Sequence, residues 1–258
     1  MGMDNELIHG DSAEELKKLI TESIDLTITS PPYDNRFTYG GYSFDFEIIA
    51  KELFRVTKEG GIVVWVVGDA VIDGSESGTS FKQALYFKEL GFKLHDTMIF
   101  HKSPSFQEKN RYPQTFEYMF VFSKGKPKTF NPIIDHKNKI DTHKGGEVVS
   151  AIRKKDGAHT KKIRPKPREY SKRWNIWWIP IGYFSQTLDK IAYKHPAMFP
   201  EKLANDHIIS WSNEGDTILD CFAGSGTTLK MARQLKRNYI GIEINADYID
   251  IIKERLML

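Results

Sequence analysis

The chain has 258 residues, 40% hydrophobic and 28% charged with five tryptophans, so it can bury a sizeable core as one large domain or one domain with an insertion. Its longest apolar runs, such as GIVVWVVG, fall far short of the roughly 18 residues a membrane helix needs, and its one cysteine, Cys221, excludes a disulfide framework. The net charge of +3 conceals an asymmetry: positions 126–173 hold 15 Lys and Arg against 5 Asp and Glu, a local +10, and the remainder carries −7.

In chain order, ELIHGD reads as a short strand and SAEELKKLIT as a helix with Ser12 as its cap. SIDLTIT is a buried strand that runs into Ser30, Pro31, Pro32 and Tyr33, where two prolines force a turn. DFEIIAKELFRVTKEGG has apolar residues at helical spacing, a capping Asp45 and a glycine stop. IVVWVVGD is a buried strand and TSFKQALYFKELGF a helix. KLHDTMIFHK and TFEYMFVFSKG are consecutive strands, an antiparallel hairpin at one sheet edge. From Lys126 to about 175 no clean period survives, and Lys, Arg, Gly, Pro and His dominate. That stretch reads as a loop-rich basic insert, with YSKRWNIWWIP as a packing cluster at its end. PEKLANDHIISWSNEG is a helix, DTILDCFAG a strand, GTTLKMARQLKRN a helix, YIGIEI a strand and ADYIDIIKERLML the last helix. Strands alternating with helices give an α/β fold with a mostly parallel sheet covered on both faces.

In such a sheet, ligands bind beyond the carboxyl ends of the strands. Two loops there stand out, TSPPY and LDCFAGSGTT. Glycines 224 and 226 at a strand-to-helix turn let the backbone approach a ligand and leave helix N-terminal amides free. Gly226 is followed by Thr227 and Thr228 rather than the Lys-Ser/Thr of a phosphate loop, and the dinucleotide fingerprint fails on spacing. An adenosine-type ligand remains. Glu243, about twenty residues on at the end of the next strand, stands where ribose-binding acids stand.

DCFAGSGTT resembles the cofactor loop of S-adenosylmethionine-dependent methyltransferases, and TSPPY resembles the catalytic motif of those that methylate exocyclic amino groups of DNA bases. HPAMFPEKL, positions 195–203, resembles a third block of that family. The order of catalytic motif, basic region and cofactor loop is similar to that of the β group, the circularly permuted DNA amino-methyltransferases of the N4-cytosine/N6-adenine family. The resemblance implies a Rossmann-like methyltransferase sheet, with 1–125 as the catalytic half, 126–175 as the target-recognition region and 176–258 as the cofactor-binding half. It assigns the cofactor to Pro200, Asp220, Phe222, Ala223, Gly224, Ser225, Gly226 and Thr227, with Glu243 on the ribose hydroxyls and Asp11 on the adenine amine. Asp11 also reads as a helix cap. No metal is implied, and no Cys/His spacing suits zinc. Double-stranded DNA is the expected partner of the basic 126–173 segment. A homodimer is an allowed assembly, and any restriction endonuclease is a separate chain. A prokaryotic or phage-encoded, nucleoid-associated cytoplasmic protein is expected, since the acidic N-terminus lacks a signal-peptide pattern.

The chemistry accounts for the catalytic motif. An exocyclic amine on cytosine or adenine is a poor nucleophile because its lone pair is delocalised into the ring. Two acceptors holding its hydrogens pull the nitrogen toward tetrahedral geometry, and the Ser30 oxygen and the Pro31 carbonyl are suitable. Pro31 and Pro32 fix that carbonyl's direction, and Tyr33 offers a face to a base taken out of the duplex. Cytosine-C5 methylation needs a cysteine nucleophile, and Cys221 lies in the cofactor strand instead. Within the family a serine before the prolines is commoner in cytosine-N4 enzymes and an aspartate in adenine-N6 enzymes. Cytosine N4 is therefore the expected target and adenine N6 the alternative. A catalytically silent DNA-binding relative and an RNA or protein-amide methyltransferase stand further off.

Overall fold

A computed structural model describes residues 5–32, 44–103, 109–138, 148–164 and 168–257. They form two units, Met1–Asn131 with Asn175–Leu258, and Pro132–Trp174. The first unit begins β1 (Glu6–His9), α1 (Ser12–Glu15), β2 (Ile24–Thr29), α2 (Phe46–Val56), β3 (Thr57–Val67), a small hairpin of β4 (Val71–Ile72) and β5 (Ser75–Glu76), α3 (Thr79–Glu89), β6 (Lys93–His101) and β7 (Phe116–Ser123). The second unit holds β8 (Ile134–Lys137), β9 (Val148–Arg153), β10 (His159–Arg164) and β11 (Tyr170–Lys172). The first unit resumes with β12 (Ile176–Trp178), α4 (Glu201–Trp211), β13 (Thr217–Asp220), α5 (Thr227–Gln234), β14 (Asn238–Glu243) and α6 (Ala246–Leu256). No helix among the described residues is long and apolar enough to cross a membrane.

The large sheet has the order β1-β14-β13-β2-β3-β7-β6-β12, and β7 runs against the other seven strands. β2 is buried at every residue, as a central parallel strand covered on both faces must be. Side chains alternate between two cores. Ile62, Val64 and Val66 of β3 enter one with Leu203 and Ile208 of α4. Val63, Trp65 and Val67 enter the other with Ile49 and Leu53 of α2. Asp45 caps α2 by accepting from the Ile48 amide at 3.1 Å. The α2 stripe Ile49, Ala50, Leu53 and Val56 then faces the sheet, each large side chain contributing about 1.5–3 kcal/mol by burial. From β13 the chain crosses to β14 on one side, and from β2 it crosses to β3 on the other. Their adjacent carboxyl ends therefore form a topological switch point, where a crevice opens.

Five local expectations are corrected. Asp11, not Ser12, caps α1, accepting from the Ala13 amide at 2.8 Å. α2 stops at Val56 rather than at the glycines, because residues 57–61 already belong to β3. There Gly61 passes so close to Thr57 and the Asp25 carbonyl that a Cβ would lie 2.8 Å from Thr57 Cγ2. The β6–β7 hairpin is not the sheet edge. β12 pairs parallel to β6 beyond it and buries Trp177, while Ile176 and Trp178 stay exposed. YSKRWNIWWIP is thus divided, its start lying in β11 and its end in the large sheet. The basic segment also holds regular structure: antiparallel β9–β10, closed by a 154–158 turn with Gly157 at φ +83°, and antiparallel β8–β11.

Candidate active site

Beyond the switch point lies a cleft of about 670 Å³. Ser30 and Pro32, at the end of β2, line it, and Pro31 is buried between them. Tyr33 lies outside the described residues, as do Asp34 and Asn35. Thr29 Oγ1 donates to Asp220 Oδ1 at 2.7 Å, and the same oxygen accepts the Phe222 amide at 3.1 Å. Asp220 therefore buckles the two strand ends together from behind the cleft wall. Burial pushes its pKa up to about 6.

The loop after β13 supplies Phe222, Ala223, Gly224, Ser225 and Thr227 to the wall. Gly224 sits at φ +52° and Gly226 at φ +77°, the left-handed region glycine tolerates best. Gly226 caps α5 behind the wall, against Ile252. The Gly224 amide donates to Glu243 Oε2 at 2.7 Å, and the Asn245 amide to Glu243 Oε1 at 2.9 Å. Each Glu243 oxygen is thus oriented by one amide and keeps a second lone pair for a donor in the cleft. Burial raises the pKa of Glu243, and the two amides oppose that rise. Asp11 also lines the cleft, held near Glu243 by the Gly10 amide, which donates to the Glu243 carbonyl at 2.9 Å. Pro200, which precedes α4, lines the cleft too, whereas Asp220 and Gly226, also expected among the cofactor residues, lie behind its wall.

Two further side chains brace this loop. The Arg255 side chain, 0% exposed, donates from Nη1 to the Ser225 carbonyl at 2.5 Å and to Thr227 Oγ1 at 3.2 Å. Its other nitrogens reach Asp189 at 3.0 Å and Glu201 at 2.8 Å, and both carboxylates also pair with Lys230. The last helix is so tied to the glycine loop and to the segment before α4. Replacing Arg255 with Met leaves those carboxylates undercompensated and is expected to cost about 3–5 kcal/mol, read as a lower urea midpoint at neutral pH. His195 lines the cleft against Gly224, whose Cβ, if present, would lie 2.9 Å from Nε2. Its Nδ1 accepts from the Ala197 amide at 3.2 Å, which assigns the proton to Nε2.

Burial lowers the His195 pKa to about 4. The unfolded chain takes up this proton as pH falls below about 6.5, whereas the fold resists until about 4. The stability His195 contributes is thus present above 6.5 and lost on the way down to 4. Asp220 acts in the opposite sense, because its raised pKa lets the fold bind a proton first. His195→Asn should therefore show a melting deficit at pH 7.5 that shrinks by pH 5; a deficit constant with pH would contradict this assignment.

The sequence model of the N6/N4 DNA methylase family matches residues 24–254. The chain belongs to this DNA methylase family. The methylase is 61% identical over 236 residues to the orphan methyltransferase M.BamHII of Bacillus amyloliquefaciens, covering 91% of this chain and 89% of that one. It is 30% identical over 261 residues to the DNA adenine methyltransferase YhdJ of Escherichia coli K12, covering 97% and 82%. Among solved structures it is similar to M1.HpyAVI in complex with S-adenosylmethionine, with a TM-score of 0.63 and 25% identity over 98% of this chain and 99% of that one. The fold of the methylase is the Rossmann-like sheet of such enzymes, mostly parallel with one antiparallel hairpin.

Of the residues expected from the sequence of the methylase, Ser30, Pro32, Asp11, Pro200, Glu243 and most of the glycine loop meet at the cleft. Arg255, Asn245, Lys102 and Glu117, the last three of which line the cleft, were not among the expected residues. The signal for Arg255 was a basic residue on the apolar face of the last helix, between Ile252 and Leu256.

Proposed function

We propose that this DNA methyltransferase transfers the methyl group of S-adenosylmethionine to the exocyclic N4 of cytosine, in a base turned out of the duplex into the cleft. The observation that carries this reading is the meeting of two walls. Ser30 and Pro32 open into the same space as Gly224 and Glu243, so an amine acceptor and an adenosine anchor face one volume. S-adenosylmethionine is the methyl donor. Its ribose hydroxyls donate to Glu243, Asp11 accepts from its adenine amine while capping α1, and the glycine loop takes its methionine end. The amine nitrogen attacks the methyl carbon, and the carbon–sulfur bond breaks with its electron pair left on sulfur. The extra proton leaves to water. Ser30 and the Pro31 carbonyl hold the amine so that its lone pair points along that line, and positioning does most of the catalysis. Tyr33 stacks on the base.

Residues 1–125 and 176–258 serve as catalytic and cofactor halves of one sheet, in keeping with β12 pairing with β6. The basic 126–173 segment, with its two antiparallel strand pairs, contacts phosphates and reads the target. Cytosine is favoured by Ser30 in the place where adenine enzymes more often carry aspartate. Adenine N6 is the second reading, favoured by the likeness to YhdJ. Incubation with methyl-labelled S-adenosylmethionine and unmethylated mixed-sequence duplex, followed by nucleoside mass spectrometry, separates them. N4-methylcytosine is expected. N6-methyladenine would transfer the assignment, and an unlabelled duplex would sink both.

A further inference from the structure

The wall of the cleft opposite the glycine loop carries an ion pair that the chemistry above leaves without a role. Met98 and Phe100 of β6 and Met119 and Val121 of β7 form one buried apolar row facing the α4 side of the sheet. Phe100 pairs in register with Glu117. The next residue of that face beyond Phe100 is Lys102, whose amide continues the ladder to the Thr115 carbonyl at 2.8 Å. Where the row reaches the cleft, the apolar side chains thus give way to a diagonal Lys–Glu pair. Lys102 Nζ and Glu117 Oε1 are in direct contact, with side chains only 17% and 12% exposed. Both line the cleft together with Ser30 and Pro32.

Stability alone does not explain the pair, since desolvating two charges offsets most of their attraction and an apolar pair would extend the core. A ligand does. The sheet order puts β2, with Ser30, between β14 and β7. The pair thus stands on the far side of the reacting amine from Glu243: Glu117 on β7 is two strand spacings from β2, about 10 Å, and Lys102, just past β6, is three, about 14 Å, which its long side chain partly spans. That is room for one base with hydrogen bonds on either side.

We propose that Lys102 reads the ring edge of the target base, donating to the ring nitrogen and carbonyl beside the reacting amine, with Glu117 as the positioning residue that holds the ammonium there. This rests on the amino-methylation reading above. An ammonium has three donors and no acceptor. One proton engages Glu117, leaving two for N3 and O2 of cytosine, which lie side by side next to N4. On either side of N6 adenine offers a single acceptor, N1 or N7, with no carbonyl beside it, so the pair favours cytosine.

The test uses the full chain with Lys102→Met, and with Lys102→Met and Glu117→Gln together so that neither charge is buried alone. Each variant is given saturating S-adenosylmethionine and unmethylated mixed-sequence duplex, and cofactor affinity is measured separately by calorimetry. Both variants are expected to bind cofactor as the wild type does and to lose about 100-fold in turnover. KM for DNA should change less, since phosphate contacts dominate binding. Folded variants with wild-type turnover, or with cofactor affinity lost in parallel, would overturn the proposal. Should neither variant fold, Lys102→Arg decides, because it keeps the charge and alters the donor geometry. A reduced kcat at unchanged cofactor affinity supports the proposal, and wild-type kcat overturns it. A wild type that methylates no base overturns the amino-methylation reading as well, whereas an active wild type with an equally active Lys102→Met overturns this inference alone.

Discussion

Ser30→Ala is expected to bind S-adenosylmethionine with unchanged affinity and to lose about 100-fold or more in turnover. The hydroxyl lies at the end of a strand whose placement does not depend on it. β2 is buried throughout, and Thr29, its last residue, is locked to Asp220. Removing one oxygen after such a strand leaves the cleft's shape intact. What goes is one of two acceptors that strip the amine of its conjugation, an interaction that strengthens as the nitrogen becomes tetrahedral. The loss should therefore fall on kcat. Steady-state kinetics with separate calorimetry of the cofactor checks it, and a parallel loss of cofactor affinity would move Ser30 to the other end of the site.

Gly224→Ala should produce the complementary pattern. At φ +52° a non-glycine residue costs about 1–3 kcal/mol, and the new methyl would press on His195 Nε2 at 2.9 Å. The loop relieves both by shifting, which breaks the 2.7 Å bond from the Gly224 amide to Glu243. Binding the cofactor then requires the strained loop to be restored. That cost corresponds to about 5- to 100-fold weaker affinity, at 1.4 kcal/mol per tenfold. Calorimetry with S-adenosylhomocysteine measures it directly. Turnover at saturating cofactor should recover much of the wild-type rate, unlike Ser30→Ala.

The parts of this molecule that were legible in its sequence are those where chemistry is local. Buried runs such as IDLTIT and IVVWVV admit few alternatives to central strands, and a glycine pair between a strand and a helix marks a close approach whatever packs around it. β8, β10 and β11 were not legible, because short strands rich in Lys, Arg and His carry no apolar alternation to betray them, and β9, VVSAIR, is an apolar run too short to stand out within a basic segment. β12 escaped notice because three residues are too short for a period, and only pairing with β6 shows Trp177 to be core. In the site, Asp11 had two readings that turn out to be compatible: it caps α1 through one oxygen while lining the cleft. Arg255 and His195 make their contacts with residues about thirty positions away, and the Lys102–Glu117 pair is set by the register of the β6–β7 hairpin, neither of which spacing alone encodes.

Adenosine is expected to lie over Glu243 while the sulfur faces Ser30. A crystal structure with S-adenosylhomocysteine tests it most directly. Both ribose hydroxyls are expected within hydrogen-bond distance of the Glu243 carboxylate, with the sulfur turned toward Ser30. A ribose held elsewhere, or the adenine seated against Lys102 and Glu117, would contradict it.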